Sequence, residues 1–514
     1  MMARLLSGLF LVAVCGFVVL HYVDSVWTVS IDLAHHYALV ARLSQHWNLP
    51  SNDDPSLEEM NVYPRYSHRL AAIVGNLVGS TFKGMQVVGF ISLAAVWSGL
   101  AILLLSLPRG TLLWCFLILA LFLQANRLFI HLELFGTELV GNYFFPQVVA
   151  QGAAILLIAL VLWLERAKIP PVVGYLLLAS SVPLLQQFHL LPALEVLATL
   201  ALLVVVNALV SRNDKPWMAL SFGLFCVAAS AVLTVINSTF RAMLGISENP
   251  GLLMLNYTPT VLSLTIECLL VAALSAFLIR RWVVWEPGSA RRSVLALKYV
   301  GALGLATAGL CLLQVLLLKF GYGSEYACKK YAFGLNTLLV LDLLLQLLVP
   351  GTRLSALWSG SWQPPGALAP IFQGMFPGVL VLTACLAILP APSARVISAD
   401  EIVSVENFVK QYGDVPASGA STRYDYGIGL FKEDRVFDYL ISIGLLKAPR
   451  PNDATDLLLG LPLTKPGRVG RIFTRQGSTP WDIQDCRLVS SAEGFVILDG
   501  QCVLGRIAVL RNRP

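Results

Sequence analysis

The chain has 514 residues, of which 57% are hydrophobic and only 13% are charged. A soluble domain carries about 25% charged residues, so this composition excludes an ordinary soluble protein and favours one that spans a membrane. The formal net charge of +6 is explained by basic residues in short loops, and no stretch reads as a nucleic-acid-binding patch.

Long apolar segments recur along the chain, each near the roughly 20 helical residues that cross a bilayer. They predict a mainly α, polytopic transmembrane domain over residues 1–391, with about eleven spans. The first segment could instead be a signal peptide, but it lacks a small-residue cleavage site and is longer than most signal segments. The predicted spans are residues 5–23, 84–107, 110–126, 145–164, 170–187, 191–211, 216–236, 259–280, 295–319, 331–349 and 369–390.

Basic residues in short loops set the orientation of a membrane protein. Their bias favours a cytoplasmic N-terminus, and an odd number of spans then puts the C-terminus outside. Several outer basic residues run against this trend: Arg65, Arg69, Lys83, Lys329 and Lys330. The basic residues of the predicted cytoplasmic loops are Arg166, Lys168, Arg212, Lys215, Arg280, Arg281, Arg291, Arg292 and Lys298.

Two outer segments are long, residues 24–83 and the tail 392–514. The tail alternates short apolar runs with turn residues, which predicts a small extracytoplasmic α/β domain. Within it, Cys486 and Cys502 are spaced to close a disulfide loop, or they stay reduced, depending on the compartment. All seven histidines fall at or near the outer face, although the greater length of the outer loops explains part of that bias: His21, His35, His36, His46, His68, His131 and His189.

The first outer segment contains an amphipathic helix over about residues 32–47, with apolar residues at steps of three and four. It is too short to span, so it is predicted to lie flat on the membrane surface. Asp32, His35 and His36 share one face. A carboxylate beside two imidazoles suits general-base catalysis or metal coordination, whereas the alternative is a merely solvated face.

This segment resembles the first outer loop of the GT-C glycosyltransferases, polytopic enzymes that use lipid-phosphate-linked sugars. The resemblance rests on the order of Asp32, His36-Tyr37 and Tyr63-Pro64, with His68 and Arg69 in the helix that follows. It covers about the first 110 residues in detail and implies that an outer-loop carboxylate acts as base or positions the acceptor, a role that falls on Asp32. The usual adjacent acidic pair near the first span is missing, and the pairs present come later, so the resemblance leaves the base open: Asp53-Asp54 and Glu58-Glu59.

Two later outer segments supply further polar residues. The second outer loop carries His131, Glu133 and Glu138, and the resemblance makes the two glutamates second candidates for the site. A carboxylate such as Glu138 close to the membrane needs a partner or a water-filled cavity, and pairing with Arg127 is the structural alternative. His189 lies at an outer helix junction, where it lines a cavity or makes a structural hydrogen bond.

The segment between the ninth and tenth spans places Lys329, Lys330 and Tyr331 near the start of a helix. Two ammonium groups at the membrane surface suit a lipid-linked phosphate, and the resembled family binds its lipid phosphate with outer-loop basic residues. Interfacial anchoring of the lysines is the alternative.

These features lead to a functional hypothesis, a GT-C-type glycosyltransferase in a bacterial inner membrane. Its donor would be a polyprenyl-phosphate-linked sugar, and its acceptor a periplasmic glycan, lipid or protein. The proposed catalytic residues are Asp32, His35, His36 and Glu138, with Lys329, Lys330 and Tyr331 at the donor phosphate. No cofactor is firmly implied, and a divalent metal is compatible with the residues. The acceptor or cavity residues are Tyr63, His68, Arg69, His131, Glu133 and His189.

Two rival hypotheses come from other classes. One is a transporter or flippase of lipid-linked saccharides, and the other is a non-catalytic membrane component of a cell-envelope polysaccharide assembly system. Transporters usually carry charged or broken helices near the midplane. The polar residues of this chain are interpreted as gathering at one face, which favours the enzyme.

Overall fold

A computed structural model describes most of the chain. The pair Asp53-Asp54 and the loop residues Arg212 and Lys215 fall outside the described residues. The described residues are 2–47, 57–210, 216–246, 258–285, 289–348, 369–413, 426–431, 435–448, 456–457, 461, 463, 469–477, 484–491 and 493–511.

Long apolar helices dominate these residues, and the chain is a multi-pass membrane protein. The helices of this part are α1 (Met2–Tyr22), α2 (Ile31–Gln45), α3 (Tyr66–Val78), α4 (Thr81–Leu104), α5 (Arg109–Ala125), α6 (Thr137–Gly141), α7 (Phe145–Arg166), α8 (Pro171–Gln186), α9 (Leu190–Val210), α10 (Pro216–Ile236), α11 (Ser238–Ile246), α12 (Thr258–Val284), α13 (Ser289–Arg292), α14 (Leu295–Lys319), α15 (Glu325–Leu348) and α16 (Ala369–Ile388).

Every predicted span coincides with one of these helices. Among the described residues, nine helices are long and apolar enough to cross a membrane. The helices α1 and α8 contribute shorter apolar stretches, Ser7–Tyr22 and Pro171–Gln186. The multi-pass architecture is therefore confirmed, whereas the count of eleven spans stays a prediction.

Glycines let neighbouring helices approach closely, as is common in membranes. A Cβ atom at Gly152 of α7 would lie 2.9 Å from the carbonyl oxygen of Ser92 in α4. One at Gly84 of α4 would lie 2.3 Å from the backbone nitrogen of Gly75 in α3. Both distances are too short for a real Cβ, so only glycine fits at these positions. The close contact at Gly84 holds α3 directly against α4.

The helix α2 is buried inside the protein rather than exposed along one side, and its placement on the membrane surface stays a prediction. Ser30 caps its N-terminus by accepting the N–H of Leu33 at 3.1 Å, and residues 36–43 are all buried. The predicted apolar stripe occupies one side, but Ala34, Ala38 and Ala41 make the other side small enough to pack as well. The helix therefore contacts α3 on one side and the C-terminal region on the other.

An exposed apolar stripe is found on α3 instead. Leu70, Ile73 and Leu77 are 41%, 45% and 81% exposed and follow one another at helical spacing. The opposite side of the same helix buries Ser67, His68 and Ala71. This two-sided pattern is typical of a helix that lies in the membrane interface.

The C-terminal region is a small α/β unit, as predicted, and the predicted boundary at residue 391 falls between α16 and the next strand. The strands β3, β4, β6 and β5 form one sheet in that order, parallel between β3 and β4 and antiparallel elsewhere. Cys486 and Cys502 form a disulfide. The elements are β2 (Ile397–Ser398), α17 (Ala399–Tyr412), β3 (Tyr426–Leu430), α18 (Arg435–Gly444), β4 (Val469–Arg475), β5 (Arg487–Ser490), β6 (Phe495–Asp499) and α19 (Gly500–Arg511).

Polar contacts join this unit to the first outer segment. The strand β1 (Ser25–Val26) pairs with β2. The buried Glu406 of α17 accepts hydrogen bonds from Tyr37 Oη at 2.7 Å, Ser80 Oγ at 2.6 Å and the Phe82 N–H at 3.0 Å. Because one carboxylate receives three donors from α2 and the start of α4, the unit is held directly over α2, which carries Asp32.

Candidate functional site

Polar and aromatic side chains from five separate segments meet at the N-terminal end of α2. Asp32 and His36 come from α2, Tyr63 and His68 from the loop and helix that follow, and His189 from the turn between α8 and α9. Tyr326 and Lys330 come from the first two turns of α15. We call this set the Asp32 cluster: Asp32, His36, Tyr63, His68, His189, Tyr326 and Lys330.

Tyr326 connects the carboxylate to the cation of the cluster. Its hydroxyl donates to Asp32 Oδ1 at 2.7 Å. Its ring lies under the Lys330 Nζ, 4.0 Å from the ring centre, and Phe144 offers a second ring at 4.6 Å. Aromatic faces stabilise a cation, so these rings favour the charged form of Lys330, which acts electrostatically on the half-buried Asp32.

Hydrogen bonds fix the proton positions of two histidines. His68 Nδ1 lies 3.1 Å from the carbonyl oxygen of Pro64, and because a carbonyl can only accept, Nδ1 carries the proton. His68 Nε2 is then an acceptor for His36 Nδ1, 3.0 Å away. His36 therefore has its proton on Nδ1 and an unprotonated Nε2, which is the form that can take a proton from another group.

The Lys330–His189 pair has two arrangements of its protons. Lys330 Nζ lies 3.3 Å from His189 Nε2, while His189 Nδ1 accepts the N–H of Leu191 at 3.2 Å. A neutral imidazole has one N–H, so with Nδ1 accepting, Nε2 donates to an uncharged Lys330 amine. A protonated Lys330 would instead donate to Nε2, and His189 would then carry its proton on Nδ1 and give up the hydrogen bond from Leu191. A bound anion would favour the second arrangement, because it is attracted to the ammonium form.

Burial controls the ionisation of the cluster outside the spans. It lowers the pKa of His68 to about 3 and holds the pKa values of His36 and His189 well below their usual range, with nearby positive groups adding to the effect. Burial also raises the pKa of Asp32, while Lys330, the Tyr326 hydrogen bond and Lys329 oppose that rise. The cluster thus combines neutral imidazoles with a carboxylate of increased basicity.

Acidification should destabilise the protein through these histidines. Between about pH 6.5 and pH 3 the unfolded chain protonates His68 while the folded protein does not. The unfolded state then binds more protons, so the free energy of unfolding falls by about 1.4 kcal/mol per pH unit as pH decreases. In thermal unfolding from about pH 7 to pH 5, His68→Gln should show a shallower pH dependence than the wild type. His46→Gln, at an exposed position, should keep the wild-type slope, and equal slopes for both variants would contradict this account.

Some predicted site residues lie elsewhere. The Glu138 carboxylate accepts the N–H of Gly136 in its own loop at 2.6 Å. Burial raises the pKa of Glu138 to about 7, and Glu133 adds to that rise. His131 and Glu133 are exposed. Among the described residues, no hydrogen bond or ion pair joins these three side chains to the Asp32 cluster, although the carbonyl oxygen of Glu138 accepts the N–H of Phe144, whose ring lies at Lys330.

The other predicted residues divide by position around the cluster. His35 is half-buried beside His36. The Arg69 guanidinium lies over the ring of Trp47 at 5.1 Å, on the outer side of α3. Lys329 is half-buried and acts on Asp32 more weakly than Lys330. Tyr331 is buried on the side of α15 that faces Glu195 and Cys311, so a phosphate contact is not supported for it.

Residues missed by the sequence analysis are mainly aromatic. Tyr326 precedes Lys330 by four residues, which on a helix places both on one face, and that spacing could have revealed it. Phe145 packs edge-on against both His36 and His68, at 5.4 and 5.1 Å between ring centres. No local sequence signal distinguishes Phe145 from the apolar residues around it.

Neither the cavity nor the metal-ligand geometry found among the described residues locates the site independently. One small cavity of about 10 Å³, room for about one water molecule, is lined by Ser25, Gln86 and Tyr143 among others and by no member of the Asp32 cluster. Within the described ranges, no group of three or more His, Cys, Asp or Glu side chains is placed to hold a metal ion.

No protein-family model and no curated protein matches this chain.

Proposed function

We propose that this protein is a GT-C-type glycosyltransferase that moves a sugar from a polyprenyl-phosphate donor to an extracytoplasmic glycan, lipid or protein. The observation that carries the proposal is the Asp32 cluster, because a base and a buried cation from distant segments meet there. Asp32 contacts Tyr326 Oη at 2.7 Å, and that ring lies 4.0 Å from Lys330 Nζ. Transfer from a sugar phosphate requires a base, here the Asp32 carboxylate, and a cation at the departing phosphate, here the Lys330 ammonium.

The reaction would be a single displacement with inversion at the sugar carbon. Asp32 takes the proton of the acceptor hydroxyl. At the same time, the oxygen of that hydroxyl forms a bond to the anomeric carbon. The bond between that carbon and the phosphate oxygen breaks, and its electron pair leaves with the phosphate. Lys330 stabilises the charge that develops there. The unprotonated Nε2 of His36 would orient that hydroxyl by accepting a hydrogen bond, while burial and nearby positive groups oppose protonation of the imidazole.

The proposal includes a location and an orientation. The chain would reside in a bacterial inner membrane with its N-terminus in the cytoplasm and its C-terminal unit outside. The Cys486–Cys502 disulfide supports this orientation, since disulfides persist in oxidising compartments. The C-terminal unit packs over α2 through Glu406, close enough to the cluster to contribute to acceptor binding.

The test is turnover by the purified full-length protein in lipid nanodiscs. Labelled polyprenyl-phosphate sugars of several kinds are supplied with envelope glycan or lipid extracts as acceptors. The proposal expects release of free polyprenyl phosphate together with labelled acceptor. If movement of intact donor across a liposome membrane is observed without its consumption, the transporter hypothesis is supported instead. Neither turnover nor movement would favour a non-catalytic assembly component.

One observation favours the transporter as the second candidate. Polar residues do not gather at one face alone, since buried Glu195, Asp342 and Lys298 lie within helices that can span the membrane. Lys298 pairs with Glu165 at 2.6 Å at the predicted cytoplasmic end, and Asp342 accepts from Ser275 within the bundle. Ionisable groups inside a membrane commonly mark pathways for ions or substrates.

A further inference from the structure

A second polar group of residues lies inside the bundle beneath the Asp32 cluster. Its centre is Glu195, six residues along α9 from His189 and thus about 9 Å deeper at 1.5 Å per residue. Thr307 of α14 and Gln151 of α7 lie at its carboxylate, and Thr199 of α9 and Gln147 of α7 lie one helical turn from Glu195 and Gln151. All five side chains are at most 3% exposed. This group, which we call the Glu195 site, takes no part in the proposed transfer.

Contacts across three helices define the Glu195 site. Thr307 Oγ1 donates to Glu195 Oε1 at 3.0 Å, and the Gln151 side chain lies beside the same carboxylate. Thr199 follows Glu195 by four residues and Gln147 precedes Gln151 by four, so each pair shares one helix face. Gln147 Nε2 donates to the carbonyl oxygen of Lys330 at 2.9 Å, which joins this site to the cluster above.

Several oxygens of this site have hydrogen-bonding capacity that the described residues do not use. Glu195 Oε2, Gln147 Oε1 and Thr199 Oγ1 are buried and have no hydrogen-bond partner within 3.5 Å among the described residues, and the same is true of the Gln151 Nε2 donor beside the carboxylate. No Lys, Arg or His nitrogen of those residues lies within 4.0 Å of the Glu195 carboxylate. An ionised Glu195 would thus carry a charge with no cationic side chain beside it among the described residues, inside a helix that can span the membrane. That state is costly.

We infer that the Glu195 site binds a monovalent cation, specifically Na⁺. The available donors are one carboxylate and neutral amide and hydroxyl oxygens, which are ligands for a hard cation. One carboxylate balances one positive charge. Divalent Ca²⁺ and Mg²⁺ are usually bound through several carboxylates, waters or phosphates. Sodium would neutralise Glu195 and hold α7, α9 and α14 together beneath Lys330.

The test measures the thermal unfolding of the purified full-length protein in detergent. NaCl, KCl and choline chloride are compared at constant total salt, so that only the cation differs. Sodium binding should raise the Tm by roughly 2–4 °C over the other two salts, with saturation as its concentration increases. Equal Tm values in the three salts would overturn the inference.

Variants test whether the sodium-dependent rise in Tm comes from the Glu195 site. Glu195→Gln should abolish it, and Asp342→Asn, which removes another buried carboxylate of the bundle, should keep it. Thr199→Val keeps the carboxylate in case Glu195→Gln does not fold, and it should raise the half-saturating sodium concentration at least about tenfold. A response that survives in Glu195→Gln, or that disappears in Asp342→Asn alone, would place the ion elsewhere and refute this site. A Tm that follows pH but not sodium would mean that a proton occupies the site instead. Because the readout is stability, the result stands apart from whether sugar transfer is detected.

Discussion

Asp32→Asn is expected to lower the rate of sugar transfer by about 10²–10⁴-fold, the usual contribution of a general base. Asparagine has nearly the same shape and can still accept the hydroxyl of Tyr326, which donates to Asp32 Oδ1 at 2.7 Å. It cannot take a proton from an acceptor hydroxyl. The loss should therefore appear in kcat, with donor binding little changed. Initial rates at saturating donor give the measurement.

A matched change elsewhere controls for the loss of a carboxylate. Asp485→Asn alters an exposed residue of the C-terminal unit, paired with Arg506 on the surface, and should transfer sugar at the wild-type rate. If Asp32→Asn retains more than about a tenth of the wild-type kcat, Asp32 is not the base. The unprotonated Nε2 of His36 is then the next group to remove, by His36→Gln.

The spans could be predicted because lipid imposes a constraint that is local in sequence. Each crossing needs an uninterrupted run of apolar residues, and every predicted run coincides with a helix. The second and third predicted spans, 84–107 and 110–126, are parted by the shortest gap. The structure confirms that they are separate helices, because α4 ends at Leu104 and α5 begins directly after Pro108. Proline is well tolerated at such a helix start. Two of the predicted spans have apolar stretches near the lower limit of length, where composition alone does not settle a crossing.

The position of α2 could not be predicted by the same reasoning. Its periodic apolar residues correctly indicate an amphipathic helix, but they do not reveal what covers its second side. That cover comes from α18, where Gly444 lies so close that a Cβ there would come within 2.3 Å of the Tyr37 ring. Residues 37 and 444 are far apart in the chain. Burial created by such a distant contact leaves no periodic signal in either segment.

Only part of the candidate site can be predicted from the sequence, because the rest also depends on contacts between segments distant in the chain. Asp32, His36, Tyr63, His68, His189 and Lys330 were selected as polar residues near one face, and the fold brings all of them together. His131, Glu133 and Glu138 satisfied the same criterion but belong to a loop that packs against the middle of α15 through Thr337. The order of the predicted spans shows which polar residues lie at the same depth in the membrane. Lateral position around the bundle depends on helix packing, which local sequence patterns do not reveal.

Lys330→Met is expected to reduce transfer by about 10²–10³-fold, because it removes the charge that would stabilise the departing phosphate. Methionine keeps an unbranched apolar chain between the rings of Phe144 and Tyr326, which lie 4.6 and 4.0 Å from Nζ. The substitution should therefore preserve packing. It has a second consequence at Asp32, since Lys330 holds the pKa of that carboxyl below the value that burial alone would give. Without Lys330 the pKa rises, so the acidic limb of the pH–rate profile should move to higher pH.

Lys329→Met is the matched control, one position along the same helix. Lys329 is half-buried and acts on Asp32 less strongly than Lys330 does, so its variant should lose less activity and shift the acidic limb less. On the sequence alone, Lys329 and Lys330 are equal candidates for binding the phosphate. Full pH–rate profiles of both variants, at saturating donor, separate charge stabilisation from a change in Asp32. Equal losses with unshifted profiles would indicate that both lysines only anchor α15 at the interface. A larger loss in Lys329→Met would move the phosphate site to the outer side of that helix.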